Sequence, residues 1–272
     1  MPPTTPPADN SPDAKTFTLA NDLLFKTLFT RHTPLLADLI NCVRHDQPPI
    51  EVVKILNPQV LPAGLSGKLI VMDIAAHDAD GVLYNVEIQV RHAAGWAERN
   101  VFYAARALGT QLNAGEPYTQ LRPVIGISLL VADLFPDAPD RACWEFTLRD
   151  RVQTHRQFGQ SLQLHIIELS KAHRLRGLPP GLTDWITCLL HSPHEEVMSQ
   201  ITHPPAKEAM RHLETMRTDE QSQEEAFYRH MAVKEDAIRQ WIAHDRGKKE
   251  GREEGREEGL KTGLEEGRAQ IL

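Results

Sequence analysis

At 272 residues with 41% hydrophobic content, the chain is long enough to bury one substantial core and still carry appendages. Its formal net charge of −7 excludes binding nucleic acid by bulk attraction, so any such contact must rest on local basic groups such as Arg91, Arg99, Arg106 and Arg122, and should be weak and salt-sensitive. Cys42, Cys143 and Cys188 lie far apart without a CxxC pair, which argues against a disulfide framework or a zinc motif.

The 13 histidines show no H-E-x-x-H or paired Cys/His spacing, and His77 and His92 read as surface residues. No apolar run is long enough to span a membrane, and the Pro-rich N-terminus lacks a hydrophobic signal region. A reducing cytoplasm is the expected setting.

In chain order, residues 1–16 are Pro- and Asp-rich and are expected to be disordered. From Phe17 to about Ser170, helical and strand periods alternate. A first helix starts at Asn21-Asp22 with Leu23, Leu24, Leu28 and Phe29 on its apolar face, and either Asn21 or Asp22 can cap it. Thr33-Pro34 reads as N-cap and N1 of a second helix through Val43. Strands are expected at Ile50–Leu56, Lys68–Ala76 and Val82–Val90. A helix at Ala94–Leu112 follows, then strands near Pro123–Val131, Trp144–Leu148 and Leu162–Leu169. The pattern predicts an α/β core, a central mixed sheet flanked by helices, with Pro123–Val131 as a fully buried strand.

Two carboxylates lie within the central strand pair, Asp73 in Lys68-Leu-Ile-Val-Met-Asp73 and Glu87 in Asn85-Val-Glu87-Ile-Gln89. Whether they meet depends on the turn at His77-Asp78-Ala79-Asp80-Gly81. A two-residue loop puts Asp73 opposite Ile88, with the two acids on opposite faces. A three-residue loop, Ala79-Asp80-Gly81 with Gly81 left-handed, pairs His77 with Leu83 and, continuing outward, Asp73 with Glu87. Gln89 then shares their face, while Val86, Ile88 and Val90 belong to the core face. Opposed like charges destabilise a sheet unless a cation sits between them or one acid keeps its proton. Two acids plus a polar side chain two residues on suit a divalent cation aimed at phosphate. In the alternative reading, Asp73 is a lone polar residue near a strand end and Glu87 is solvated.

The run Asn21-Asp22-Leu-Leu-Phe25-Lys26-Thr-Leu-Phe29, then Asp73 and Tyr84-Asn85-Val-Glu87-Ile-Gln89, resembles the Rpn family of recombination-promoting nucleases and transposases, within the PD-(D/E)XK nuclease superfamily. The likeness continues through Glu98-Arg99-Asn-Val-Phe-Tyr103-Ala-Ala-Arg106 and Gln111-Leu-Asn-Ala-Gly115-Glu-Pro-Tyr118, covering about Thr18 to Leu169.

This resemblance implies a restriction-endonuclease-like core. Asp73 matches the first metal-binding acid, and Glu87 matches the acid of the (D/E)-x-K element. Gln89 stands where many members carry Lys, and Asp22 sits where an N-terminal acid often helps bind metal. Mg²⁺, with Mn²⁺ as a substitute, would be held by Asp73, Glu87, the Ile88 carbonyl and Asp22. Lys26, Arg99, Tyr103 and Arg106 would face substrate phosphate. Gln can place a water by hydrogen bonds but brings no charge, so low intrinsic activity is compatible with the sequence. Asp22 also fits plain helix capping. Arg99, Tyr103 and Arg106, at i, i+4 and i+7, also fit a solvated helix face with a snorkelling arginine.

Residues 171–245 read as helical, with Leu182, Trp185, Ile186, Leu189 and Leu190 as one apolar stripe and Phe227, Met231, Ile238 and Trp241 further on. This region either covers the core or forms an arm. In residues 246–272, Gly247, Gly251, Gly255, Gly259, Gly263 and Gly267 recur every four residues beside rows of acids and bases, 7 of each sign. Each glycine costs a helix about 1 kcal/mol against alanine, so the tail is expected to become helical conditionally, on packing against a second copy. The expected function is a Mg²⁺-dependent DNA endonuclease linked to recombination or transposition. The alternative is a catalytically weak nuclease fold acting as an interaction module through its helical C-terminus. A third reading, an RNase-H-like transposase, would need Asp133 or Glu168 as a further acid.

Overall fold

The computed structural model describes residues 18–56, 59–60, 70–71, 73–90, 95–191 and 193–219. The expectations for residues 1–16, for the helical signal beyond 219, for the glycine-repeat tail, and for Arg91 and His92 lie outside these residues.

Two helices open the chain, α1 (Asp22–Arg31) and α2 (Thr33–Val43). Strand β1 (Val52–Leu56) is followed by β2 (Gln59–Val60), β3 (Ile70–Val71), β4 (Ile74–Asp78) and β5 (Leu83–Gln89). Helix α3 (Trp96–Gly109) leads to β6 (Val124–Leu130), β7 (Cys143–Thr147) and β8 (Leu162–Glu168). Helices α4 (Leu169–Arg174), α5 (Pro180–Leu190), α6 (Glu195–Gln200) and α7 (Pro204–Thr218) complete the described chain. Strands β2 and β3 pair only with each other, antiparallel. The other six strands form one mixed sheet in the order β1-β4-β5-β6-β8-β7. Its centre, β5-β6-β8, is parallel, and both flanks are antiparallel.

Three layers result, because the sheet is apolar on both faces. One face, with Ile74, Ala76, Val86, Ile88, Ile125, Ile127 and Ile167, packs against α1, α2, α4, α5 and α7 in a single core around Trp185 and Phe29. The Leu182, Trp185, Ile186 and Leu189 stripe of α5 is part of that core. The other face, with Ala75, Leu83 and Val124, is covered by Ala104 and Ala107 of α3. Every residue of β6 is buried, in keeping with a parallel strand covered on both sides.

The structure revises several sequence expectations. Thr33 is the first residue of α2 and His32 the N-cap, so Pro34 sits one position later than expected. The strand expected from Lys68 to Ala76 is broken at Asp73, which occupies a bend between β3 and β4. Val90 is 42% exposed, not core, because pairing with β6 ends at Gln89 and Val90 lies past the strand. Helix α4 begins at Leu169, the residue at which the last expected strand ends, so helix starts two residues before the expected helical region.

Candidate functional site

The hairpin between β4 and β5 sets the site. Asp78 Oδ1 accepts from the amides of Asp80 and Val82, Gly81 N–H bonds back to the Asp78 carbonyl, and Gly81 adopts φ 78°. That left-handed glycine closes the three-residue loop Ala79-Asp80-Gly81. The resulting register is His77 opposite Leu83, Ala75 opposite Asn85 and Ile74 opposite Val86. The pairing ends there, with Asp73 in the bend just before β4; continuing the register by one step would bring it to the level of Glu87. His77, expected at the surface, is half-buried and its Nδ1 lies 3.0 Å from the Gly81 carbonyl, part of the turn.

Glu87 lies on the α3 face and is only 8% exposed. Its Oε1 accepts from Asn100 Nδ2 at 2.8 Å and from Ser128 Oγ at 2.9 Å; among the described residues, no donor reaches Oε2. Ser128 is the residue of β6 directly paired with Glu87, and Asn100 projects from α3. Burial pushes the Glu87 carboxyl above the ordinary range; the Asn100 and Ser128 hydrogen bonds oppose this, the Asp73 charge adds to it, and the Arg99 charge opposes it. The reach of the Asp73 charge to Glu87 places the two acids in one electrostatic neighbourhood.

Helix α1 contributes the basic partner. Asn21 is its N-cap, its Oδ1 taking the amides of Leu23 and Leu24, so the cap belongs to Asn21 and Asp22 stands in the first turn. Lys26, one turn on from Asp22, places its Nζ 3.0 Å from Asp73 Oδ1 and 3.9 Å from Asp22 Oδ2. Asp22, Asp73 and Lys26 thus converge where α1 meets the start of β4.

Gln89 ends β5, and its Oε1 accepts from the Arg99 guanidinium at 2.8 Å. Arg99 also lies over the Tyr103 ring, 5.9 Å from its centroid. Arg99 thus binds Gln89 and its charge acts on Glu87, whereas among the described residues no contact joins Arg106 to Asp73, Glu87 or Gln89. Arg122 lies along Gly81, at the turn end of the hairpin and away from the acids.

Glu168 is wholly buried, spent on the amides of Leu134 and Phe135, the Trp144 indole and the Lys171 ammonium. A carboxylate bonded this fully pins the 134–142 loop and is no third acid for an RNase-H-like centre.

Asn100 and Ser128 escape the sequence reading, although each leaves a trace. Asn100 is the one polar residue in the buried stripe Trp96, Asn100, Ala104 and Ala107, and Ser128 the one polar side chain in the buried run of β6.

A buried acid with two neutral donors, beside a second acid whose charge it feels and which a lysine approaches, has the donor set of a hard divalent-cation site. Among the described residues, no helix is long and apolar enough to cross a membrane. Searches of curated proteins and of solved structures each found no match. Among protein families, that of the PD-(D/E)XK nuclease family transposases matches residues 19–241, a span holding the whole sheet and every acid described above. The chain therefore belongs to the PD-(D/E)XK nuclease family transposases.

Proposed function

We propose that the protein is a divalent-metal-dependent DNA endonuclease acting in recombination or transposition, with Asp73 and Glu87 as its essential acids. The observation that carries this reading is a buried Glu87 whose carboxyl is raised chiefly by burial and further by the charge of Asp73, the residue that leads into β4. Nucleases of this family generally use divalent metals, and two neighbouring carboxylates with one mostly desolvated fit a small, hard cation better than they fit each other.

Asp73, Glu87 and the Ile88 carbonyl would hold Mg²⁺, with Asp22 as a further contributor. When bound, the ion lowers the pKa of a water and stabilises charge on the scissile phosphate. The residues of the chain do the rest. Asn100 and Ser128 fix Glu87 by its Oε1, and among the described residues neither donor engages Oε2. Gln89, steadied by Arg99, has its amide nitrogen available to orient a water. Lys26 and Arg99 supply the positive charge that Gln89 lacks, with Tyr103 and Arg106 along the same helix as phosphate contacts.

We assign residues 17–170 as the nuclease domain, 171–245 as a helical region and 246–272 as a tail that associates with a second copy, with a cytoplasmic setting. The reading is tested by incubating supercoiled plasmid with the full chain in Mg²⁺, in Mn²⁺ and in EDTA. Nicking or linearisation that needs the metal supports it. No cleavage in either metal overturns it in favour of a nuclease fold used for interaction.

A further inference from the structure

On the opposite side of the sheet from α3, three side chains of different chemistry point at one spot. Asp38 and Cys42 are one turn apart on α2, and His203 is the residue from which α7 starts. His203 Nε2 lies 2.7 Å from Asp38 Oδ1 and 3.8 Å from Cys42 Sγ, and Sγ lies 3.7 Å from Asp38 Oδ1. The three potential donor atoms all fall within 4.8 Å of one another. Sequence spacing hides this set, because His203 is 161 residues from Cys42.

Two simpler readings account for less. In a nucleophilic Cys-His-Asp arrangement the histidine uses one ring nitrogen for the acid and the other for the nucleophile. Here a single nitrogen, Nε2, faces both, and burial together with the Asp38 charge pushes the Cys42 thiol up to about 12. A plain hydrogen-bond network is already complete without sulfur, since Asp38 Oδ1 takes both the Trp185 indole N–H, at 2.7 Å, and His203. Neither reading explains why sulfur is the third corner.

Tetrahedral geometry does. With metal–ligand lengths of about 2.0–2.3 Å, neighbouring donor atoms sit about 3.4–3.6 Å apart. Both sulfur edges are within a few tenths of an ångström of that, and only the short nitrogen–oxygen edge must open, by about 0.7 Å, when the proton it shares is replaced. The surroundings hold the donors in place. The Trp185 indole orients the Asp38 carboxylate, as donors to metal-binding carboxylates do. Asp184 Oδ2 takes the Thr202 amide, the Thr202 hydroxyl and the His203 amide, which fixes the histidine backbone. Gly181 clears the space, since a Cβ there would stand 2.8 Å from Cys42 Sγ and 3.3 Å from His203 Cε1. The Asp38 and His203 side chains are 26% and 25% exposed, enough for an ion to enter and for water to complete its shell.

We propose that Asp38, Cys42 and His203 form a binding site for a zinc-class divalent ion, with water as the fourth ligand, that ties α2 to the α5–α7 segment. Thiolate and imidazole donors select Zn²⁺ or Co²⁺ over Mg²⁺, so this site and the acid pair sort metals by ligand softness. The site is independent of the nuclease reading, because it shares no residue with Asp73, Glu87 or Gln89.

Co²⁺ added to the full chain is the test. The expected result is a thiolate-to-cobalt charge-transfer absorption in the near ultraviolet with tetrahedral visible bands, saturating near about one equivalent. Zn²⁺ abolishes it, and millimolar Mg²⁺ does not. Cys42→Ser removes the ultraviolet band, His203→Ala weakens binding by about 100-fold or more, and Asp73→Ala leaves both unchanged. Absence of a thiolate band in the wild type overturns the proposal whatever the variants do. So does a band that persists in Cys42→Ser, or one lost in Asp73→Ala.

Discussion

The Lys26 ammonium lies 3.0 Å from the Asp73 carboxylate and 3.9 Å from that of Asp22, so a side chain of α1 holds a cation against the acid that opens β4. Lys26→Met should cost the metal-free protein about 0.5–1 kcal/mol, the usual worth of a part-exposed ion pair. The same change should tighten Mg²⁺ binding, because the ammonium no longer competes for Asp73, while cleavage at saturating Mg²⁺ falls about 10- to 100-fold. Denaturant unfolding and a Mg²⁺ titration of cleavage measure these together. Unchanged Mg²⁺ affinity in the variant would separate Lys26 from the metal site.

Glu87 carries a folded-state pKa above its unfolded value, chiefly through burial. A raised acid keeps its proton in the native state where the unfolded chain has lost it. Its contribution to stability is therefore full below the unfolded pKa of about 4.3 and is lost as pH rises through the raised folded value. Glu87→Gln should accordingly melt higher than the wild type at pH 8 without metal, by about 5 °C, with the gap closing near pH 4. Mg²⁺ should raise the wild type alone. Thermal melts at the two pH values, with and without Mg²⁺, decide it; equal wild-type and variant melting at pH 8 would show that Glu87 is not strained.

Asn100 and Ser128 are the only described donors to Glu87. Asn100→Ala should destabilise by about 1–3 kcal/mol, the cost of leaving a buried acceptor short of a partner, and should push the acid limb of the cleavage pH profile upward. Asn100→Asp should be worse than alanine, since it adds a third acid beside Glu87. A pH–rate profile alongside equilibrium unfolding reads both effects, and an unshifted acid limb in Asn100→Ala would show that this hydrogen bond does not tune Glu87.

His165, on β8, is buried, with its Nε2 unpartnered among the described residues, and its pKa is lowered to about 4 by burial, helped by the Arg44 charge and opposed by Asp46. Between pH 4 and 6.5 the unfolded chain binds this proton and the native state does not, so stability rises with pH across that window. Acidifying from pH 6.5 to 4 should remove up to about 3 kcal/mol, and His165→Gln should flatten that part of the curve. Urea unfolding at pH 4.5, 5.5 and 7 is the measurement, and parallel curves for the two proteins would assign the acid sensitivity to other groups.

Parts of this site are legible in local sequence, and others depend on distant partners. Asp78-Ala79-Asp80-Gly81-Val82 encodes its own turn, because Asp78 accepts local amides and Gly81 supplies the left-handed residue. The register of β4 on β5, down to Ile74 opposite Val86, follows from that turn, whereas the bend at Asp73 has no signal in the apolar run before it. Asn21 and Asp22 both suit a helix cap by residue type, and only the backbone path selects Asn21. Val90 continues the alternation of β5, but the strand stops where its partner β6 stops, which no local pattern records. Asn100 and Ser128 are polar residues in apolar runs, intelligible only once α3 lies over β5 and β6. The Trp185–Asp38 hydrogen bond joins residues 147 apart in the chain and has no local signature at all.

The most direct test of the central claim is plasmid cleavage at pH 8 in Mg²⁺ by wild type, Asp73→Asn and Glu87→Gln, each confirmed folded by circular dichroism. The variants keep the size of the native side chains and remove only their charge. The expected result is Mg²⁺-dependent cleavage by the wild type and a loss of about 1,000-fold or more in each variant, the scale of charge stabilisation that a catalytic metal supplies. Cleavage by either variant at the wild-type rate would contradict the assignment of Asp73 and Glu87 as the metal-binding acids.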